Sequence, residues 1–210
     1  NRLSAGHFLS VCTAILGGVH QDTNEPFLIV EPSVGGWGGN WKQDGATAQF
    51  CIADGETFNI PVEVCETRNG VLVDEYSLNT DGMGAGEFRG GYGVVRAYRS
   101  LTDNQYFTGS FGRHKFNPWG TNGGKEGSNN YFEFIKSNGE KFGPFGKYNQ
   151  FPLNKGDITR LVTGTGGGFG NPLDRPVSKV IWDVQNDYIT VEQAEKDYGV
   201  ILNHETFEVI

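Results

Sequence analysis

The stretch TGTGGGFGNPLDRP, Thr163 to Pro176, packs five glycines into fourteen residues and stops at a proline. Its composition suggests a loop built to hold a phosphate. A P-loop needs G-x-x-x-x-G-K-[ST], with a lysine for the β- and γ-phosphates, but no lysine lies between Lys155 and Lys179. The dinucleotide pattern G-x-G-x-x-G also fails. Its third glycine falls on Phe169 when counted from Gly164 and Gly166, and on Asn171 when counted from Gly166 and Gly168. Both motifs also require a helix opening directly at the glycines, whereas Asn171-Pro172-Leu173 intervenes here. The remaining reading is a strand end, a turn needing positive φ, and then a final helix. Phosphate binding by successive amides without a lysine stays open as the alternative.

Downstream of the glycines the apolar period becomes helical. Val177, Val180, Ile181 and Val184 share one helical face, and Pro176 suits a first helical position. Thr190 with Gln193 forms a capping-box pattern, and Gly199 is a natural helix terminator. Upstream the signals are strands at 27–32, 46–53, 70–79, 93–101, 106–112, 130–137 and 157–165, separated by glycine-rich turns. Asn138-Gly139 within SNGE predicts a hairpin through a type I′ turn. Residues 5–16, AGHFLSVCTAIL, predict a short helix ended by Gly17-Gly18. The fold class is therefore α+β, mainly β: short, mostly antiparallel strands with a short C-terminal helical pair. We read residues 1–210 as a single domain, with 1–170 as the β-rich body and 171–210 as the helical segment.

Composition agrees. Thirty-two of 210 residues are glycine, roughly twice the ordinary share, and aromatics reach 13%. No period runs through the glycines, which excludes collagen. Net charge is −8 and there is no Lys/Arg run, so nucleic acid is not an expected partner. The longest apolar run, within FLSVCTAIL, is too short to span a membrane. The residues after it, GGVHQDTNEP, read as a folded turn rather than the cleavage site of a leader. Cys12, Cys51 and Cys65 are odd in number and widely spaced, which speaks against a disulfide framework or a zinc cluster and for a reducing, cytoplasmic setting. The first residue is Asn, as expected of a processed chain or a part of a longer one.

Four stretches carry a resemblance to a known family: the segment from Thr163 through Leu202, GGWGGNWKQDG (35–45), FNIPVEVCE (58–66) and DGMGAGEFRGGYGVVRAYR (81–99). Together they resemble the C-terminal portion of hydantoinase B and oxoprolinase chains, a family that includes large subunits of ATP-dependent acetone and acetophenone carboxylases. The resemblance implies a component of an ATP-dependent amidohydrolase that opens cyclic amides. It implies two partners, an ATP-binding hydantoinase A-type subunit and the N-terminal remainder of the hydantoinase B-type chain. ATP and a divalent metal are expected in the complete complex, with neither bound by this chain alone. Two rivals stand: a component of a ketone carboxylase, or a non-catalytic β-rich scaffold or glycan-binding module.

Six residues are candidates, four of them within these stretches and two, Arg113 and His114, outside them. Asp44, at the end of a glycine-rich turn, either makes an Asx-type turn bond or is a catalytic group that contacts substrate or metal in the complete site. Glu63 shares a helical face with Glu66, as an acid–base pair would, or else is a first-turn acid favoured by the helix dipole. Asn59 is read as the cap of that helix or a substrate contact. Arg89 either clamps a ligand's carboxylate or phosphate or holds an acidic neighbour. Arg113 and His114 lie in GRHKFNPWG (112–120), the densest chemical stretch, where His114 suits proton transfer. No H-x-H or H-x-x-x-H spacing occurs, so metal ligation by this chain alone is not expected. The absence of G-x-S-x-G argues against a serine hydrolase.

Overall fold

In a computed structural model that describes residues 2–51 and 57–210, the protein builds two antiparallel sheets, a bundle of glycine-rich extended segments, and a helical hairpin. The strands are β1 (Thr13–Val19), β2 (Pro26–Glu31), β3 (Val71–Asn79), β4 (Gly93–Ser100), β5 (Gln105–Ser110), β6 (Tyr131–Ile135), β7 (Lys141–Phe145), β8 (Lys147–Leu153) and β9 (Ile158–Val162). Their order is β2-β1-β5-β8 in one sheet and β3-β4-β9-β6-β7 in the other. Strict alternation sends Phe27, Ile29 and Glu31 of β2 inward, and Phe132 and Phe134 of β6 likewise. The inner faces meet through aromatic side chains, with Phe107 edge-on to Phe132 at 5.0 Å and Phe134 stacked on Phe151 at 3.7 Å.

Strands β7 and β8 were not expected from the sequence, because Gly143, Pro144, Gly146 and Pro152 punctuate them as turns. Each is an edge strand, where a proline costs no ladder hydrogen bond. Gly146 alone separates them as the chain passes from one sheet to the other. The SNGE hairpin joins β6 to β7 as predicted, but its turn is not type I′. Only Gly139 has positive φ (88°), while Asn138 does not. The strand expected over 46–53 reduces to an isolated bridge between Gly35 and Gln49, with its last two positions outside the described residues.

The helix expected at 5–16 does not form. Residues 2–12 lie in no helix or strand, with a bend at Ser10, and Leu9 and Cys12 hold φ of 35° and 46°, which no right-handed helix admits. Phe8 and Cys12 are nonetheless buried, as their spacing suggested. This path is fixed by backbone bonds from Ala5 to Gly39, Gly6 to Trp119 and Phe8 to Gly36.

These bonds belong to the bundle, whose axis is Gly164–Gly168. The amides of Gly166, Gly167 and Gly168 donate to Gly91, Gly6 and Lys125 respectively, on three different segments. The carbonyls of Gly164, Gly166, Gly167 and Gly168 accept from Gly36, Gly84, Gly39 and Thr121. A flat strand has neighbours on two sides only. Bonds radiating in three directions are the pattern of a three-residue-per-turn extended helix. The φ angles of 164–168 are ordinary, and only Gly170 is positive (77°), so the expected positive-φ turn is not the reason for this run of glycines. They are required by contact: a Cβ on Gly166 would lie 1.9 Å from the Trp37 carbonyl oxygen, and one on Gly168 2.1 Å from that of Ala85.

The C-terminal helices follow the sequence pattern closely. A short 3-10 turn (Pro172–Asp174) precedes α2 (Val177–Gln185) and α3 (Val191–Tyr198), numbered after α1 (Val62–Arg68). Thr190 and Gln193 form the capping box, and Gly199 ends α3 in the left-handed region. Val180 and Val184 pack with Ala194, Tyr198, Met83 and Tyr92 in a second apolar cluster.

Candidate functional site

The six candidate residues fall in three places. Asp44 and Arg89 come together at the junction of the bundle and the helices. Asp44 Oδ1 accepts from the Arg89 amide at 2.9 Å and from Arg175 Nη1 at 2.7 Å, while Oδ2 accepts from Arg175 Nη2 at 3.0 Å. The Asx-type turn bonds of this loop are made by Asn40, whose Oδ1 accepts from the amides of Lys42 and Gln43. Arg175 also bonds Asp183 Oδ2 at 2.7 Å, and Arg89 Nε donates to Asp183 Oδ1 at 3.1 Å. The Arg89 guanidinium packs against the rings of Tyr92 and Tyr188. Two arginines and two aspartates thus neutralise one another, with Asp183 fully buried. Burial pushes the Asp44 carboxyl up, but Arg175, by hydrogen bond and charge, and then Arg89 hold it below the usual carboxylate value. Arg89 therefore faces an acidic neighbour inside the protein. Arg175 and Asp183 were missed in the sequence. The available signal was an aspartate interrupting the apolar face that Val180 and Val184 define.

Asn59 sits on a second buried cluster. Its side-chain amide donates to Glu31 Oε1 and to the Pro32 carbonyl, and its oxygen accepts from the Tyr76 hydroxyl. It does not cap α1: the residue preceding that helix is Pro61, and no side chain caps it. Glu31, 3% exposed, also accepts from the Ile60 amide, from Arg96 Nη1 at 2.9 Å and from the Tyr98 hydroxyl at 2.6 Å. Four donors on one carboxylate tie β2 to β4 and pin the chain entering α1. Glu63 stands exposed on α1, while Glu66 accepts from the Val73 amide at 2.8 Å. The two acids thus differ in surroundings, one in solvent and one holding β3.

Arg113 and His114 line a surface cleft of about 480 Å³ between the loop after β5 and the β7–β8 corner. Arg113, at φ 53°, lays its guanidinium over Trp119 at 4.7 Å. His114 packs against Gly146, where a Cβ would lie 2.6 Å from its own. Its Nδ1 is 3.0 Å from the Asn130 carbonyl oxygen. A carbonyl only accepts, so Nδ1 carries hydrogen, and Nε2 of the neutral ring is left as the acceptor. Asn130 is fully buried, and its side chain binds the carbonyls of Phe8 and Gly112 and the amide of Gly164. The cleft wall is thereby fixed to the axis of the bundle.

The glycine run offers no phosphate cradle: each amide from Gly164 to Gly170 donates to a protein oxygen. Among the described residues no group of three or more His, Cys, Asp or Glu is placed to hold a metal ion.

A two-sheet sandwich joined to a glycine bundle and latched to a helical hairpin by buried charges is the class this architecture defines. The sequence matches the Hydantoinase B/oxoprolinase family over residues 1–172, and the chain belongs to that family. It is 31% identical over 189 residues to the B-type subunit of a putative D-/L-hydantoinase of a Pseudomonas species (strain NS671), covering 87% of this chain and 31% of that one. The crystal structure of ATP-dependent caprolactamase from Pseudomonas jessenii superposes with a TM-score of 0.83 at 26% identity, covering 96% of this chain and 36% of that one. A nucleotide-free acetone carboxylase structure shares the fold, with a TM-score of 0.83 at 19% identity over 99% of this chain and 32% of that one. The match spans 25–34% of the length of three curated relatives, the Pseudomonas hydantoinase subunit among them, and 8–9% of two 5-oxoprolinases. No helix among the described residues is long and apolar enough to cross a membrane.

Proposed function

We propose that this chain works as the C-terminal part, or a separately encoded small subunit, of an ATP-dependent enzyme that opens cyclic amides such as hydantoins or lactams. The observation that carries this reading is the likeness, over nearly the whole chain, to the B-type subunit of a hydantoinase and to caprolactamase. A hydantoinase A-type partner supplies the ATP site, and the remainder of the hydantoinase B-type chain helps to supply the metal. Bound there, ATP would supply a phosphoryl group to the ring carbonyl oxygen, with ADP leaving, and so make the carbonyl carbon open to attack by water and cleavage of the ring C–N bond. Cys12 and Cys65, buried and unbridged thiols, support a cytoplasmic setting.

Within this assembly the present chain forms a wall of the reaction cavity. We assign the working positions to His114, whose Nε2 accepts a proton, and to Arg113 beside it as the substrate-binding charge. Asp44, Arg89 and Asn59 position the loops, with their side chains engaged inside the protein.

The test is reconstitution of the chain with the ATP-binding subunit and the remaining hydantoinase B-type polypeptide. The complex is assayed for ATP-dependent ring opening, which releases an amino acid from 5-oxoproline or caprolactam and an N-carbamoyl amino acid from hydantoin. Release is expected from the complex, with no ATP hydrolysis by this chain alone. Incorporation of labelled bicarbonate into a ketone without lactam turnover would replace this reading with the carboxylase one.

A further inference from the structure

The charges around the cleft do not resemble those of the rest of the protein. The chain carries eight more acidic than basic groups, yet every ionised side chain lining the cleft is cationic: Arg113, Lys115 and Lys147. Arg113 and Lys115 come from the loop after β5, and Lys147 is the first residue of β8. Among the described residues none of the three has a carboxylate partner, whereas Arg89, Arg96, Arg99, Arg160 and Arg175 are all paired. Three like charges around one concavity repel each other, and a bound anion relieves that repulsion.

The remaining lining is apolar. Phe111, 2% exposed, closes one side, while Phe116 is 76% exposed at the rim. Phe111 already packs edge-on against Phe132, but a wholly inorganic ion would leave the exposed side chains of Leu9 and Phe116 uncovered. A ligand with both an acid group and an apolar body would satisfy both halves of the wall.

We propose that this cleft is a binding site for a small organic anion, its acid group held by Arg113, Lys115 and Lys147 and its apolar body lying against Leu9 and Phe116. The acid group is a carboxylate or a phosphoryl group. The proposal rests on the reading of the cleft as the working face of the enzyme, and it adds the substrate class.

The experiment is titration of the full chain with benzoate, phenyl phosphate and the neutral benzyl alcohol, monitored by calorimetry and by the fluorescence of Trp119 in a chain with its other tryptophans replaced by Phe. One or both anions should saturate, with benzyl alcohol at least about fivefold weaker. Arg113→Gln and Lys147→Gln should each weaken the anion by about fivefold while leaving benzyl alcohol unchanged. Raising the ionic strength from about 0.02 M to about 0.5 M should weaken it further. Preference for phenyl phosphate marks a phosphoryl site, and preference for benzoate a carboxylate site. Circular dichroism checks that the variants fold. No saturation by either anion, equal binding of benzyl alcohol, or unchanged affinity in both folded variants would overturn the proposal. Lactam turnover by the complex with no such binding would remove this site and leave the enzyme assignment intact. Anion binding with no lactam turnover would do the reverse.

Discussion

Replacing Gly166 by alanine is the sharpest test of the glycine bundle. The added Cβ would sit 1.9 Å from the Trp37 carbonyl oxygen, 2.2 Å from its carbon and 2.7 Å from the Gly38 nitrogen. These are backbone atoms and cannot rotate away. Restoring an ordinary contact near 3.4 Å requires a segment to move by roughly 1.5 Å. Such a shift separates Gly166 from Gly91, to which its amide donates, and from Gly84, whose amide its carbonyl accepts. Overpacking costs about 1–3 kcal/mol, and each of the two backbone hydrogen bonds broken about 1–3 kcal/mol more. The sum, roughly 3–9 kcal/mol, is comparable with the whole stability of an ordinary domain. Gly166→Ala should therefore give little soluble protein, with no cooperative unfolding transition in urea by circular dichroism. Gly112→Ala is the matched control. Its φ is ordinary, and a Cβ there meets nothing closer than Ser10 Oγ at 3.3 Å. It should lie within about 1 kcal/mol of the parent. A Gly166→Ala protein that melts within a few degrees of Gly112→Ala would refute the argument that close backbone approach dictates these glycines.

Asp183→Asn removes the acid that two arginines share and should cost about 3–5 kcal/mol in urea unfolding, because buried cations are left unmatched. Asp44 and Asp157 both have carboxyls held below their ordinary value by their basic and hydrogen-bonding partners against the opposing effect of burial. A depressed folded-state value stabilises at neutral pH and is lost as pH falls through it, so stability should drop below about pH 4, and Asp44→Asn should flatten part of that drop. Burial pushes the Cys12 thiol up to about 12 and also raises that of Cys65. Iodoacetamide should leave both unmodified by mass spectrometry until denaturant is added, and rapid labelling of Cys12 in the native protein would contradict the packing.

Much of the architecture could be read from the residues because it depends on neighbours in sequence. The alternation in β2 and β6, the Thr190–Gln193 capping box and the Gly199 terminator are local devices, and each appears where expected. The errors arose where distant segments decide. AGHFLSVCTAIL has helical spacing, but Gly6 and Phe8 are drawn into the bundle by Trp119 and Gly36, which no local pattern reveals. Proline and glycine masked β7 and β8 because nothing local to them shows that both lie on sheet edges. The glycine run was rightly denied a P-loop. Its requirement for three-sided contact is a tertiary fact. For the site, the density of GRHKFNPWG pointed to the cleft, but Lys147, some thirty residues on, joins it only through the corner at Gly146. Asp44 and Arg89 were singled out without their mates, because Arg175 and Asp183 lie about ninety residues or more away from them.

The central position of Gly164–Gly168 also bears on the order of assembly. On the ribosome this thread emerges after every segment that encircles it. Until it arrives, the amides of Gly36, Gly39 and Gly84 have no acceptor and the carbonyls of Gly6 and Gly91 no donor. The encircling segments therefore cannot complete their backbone pairing until the thread itself has been made, so the centre of the bundle is the last part of the native hydrogen-bond pattern that synthesis makes available.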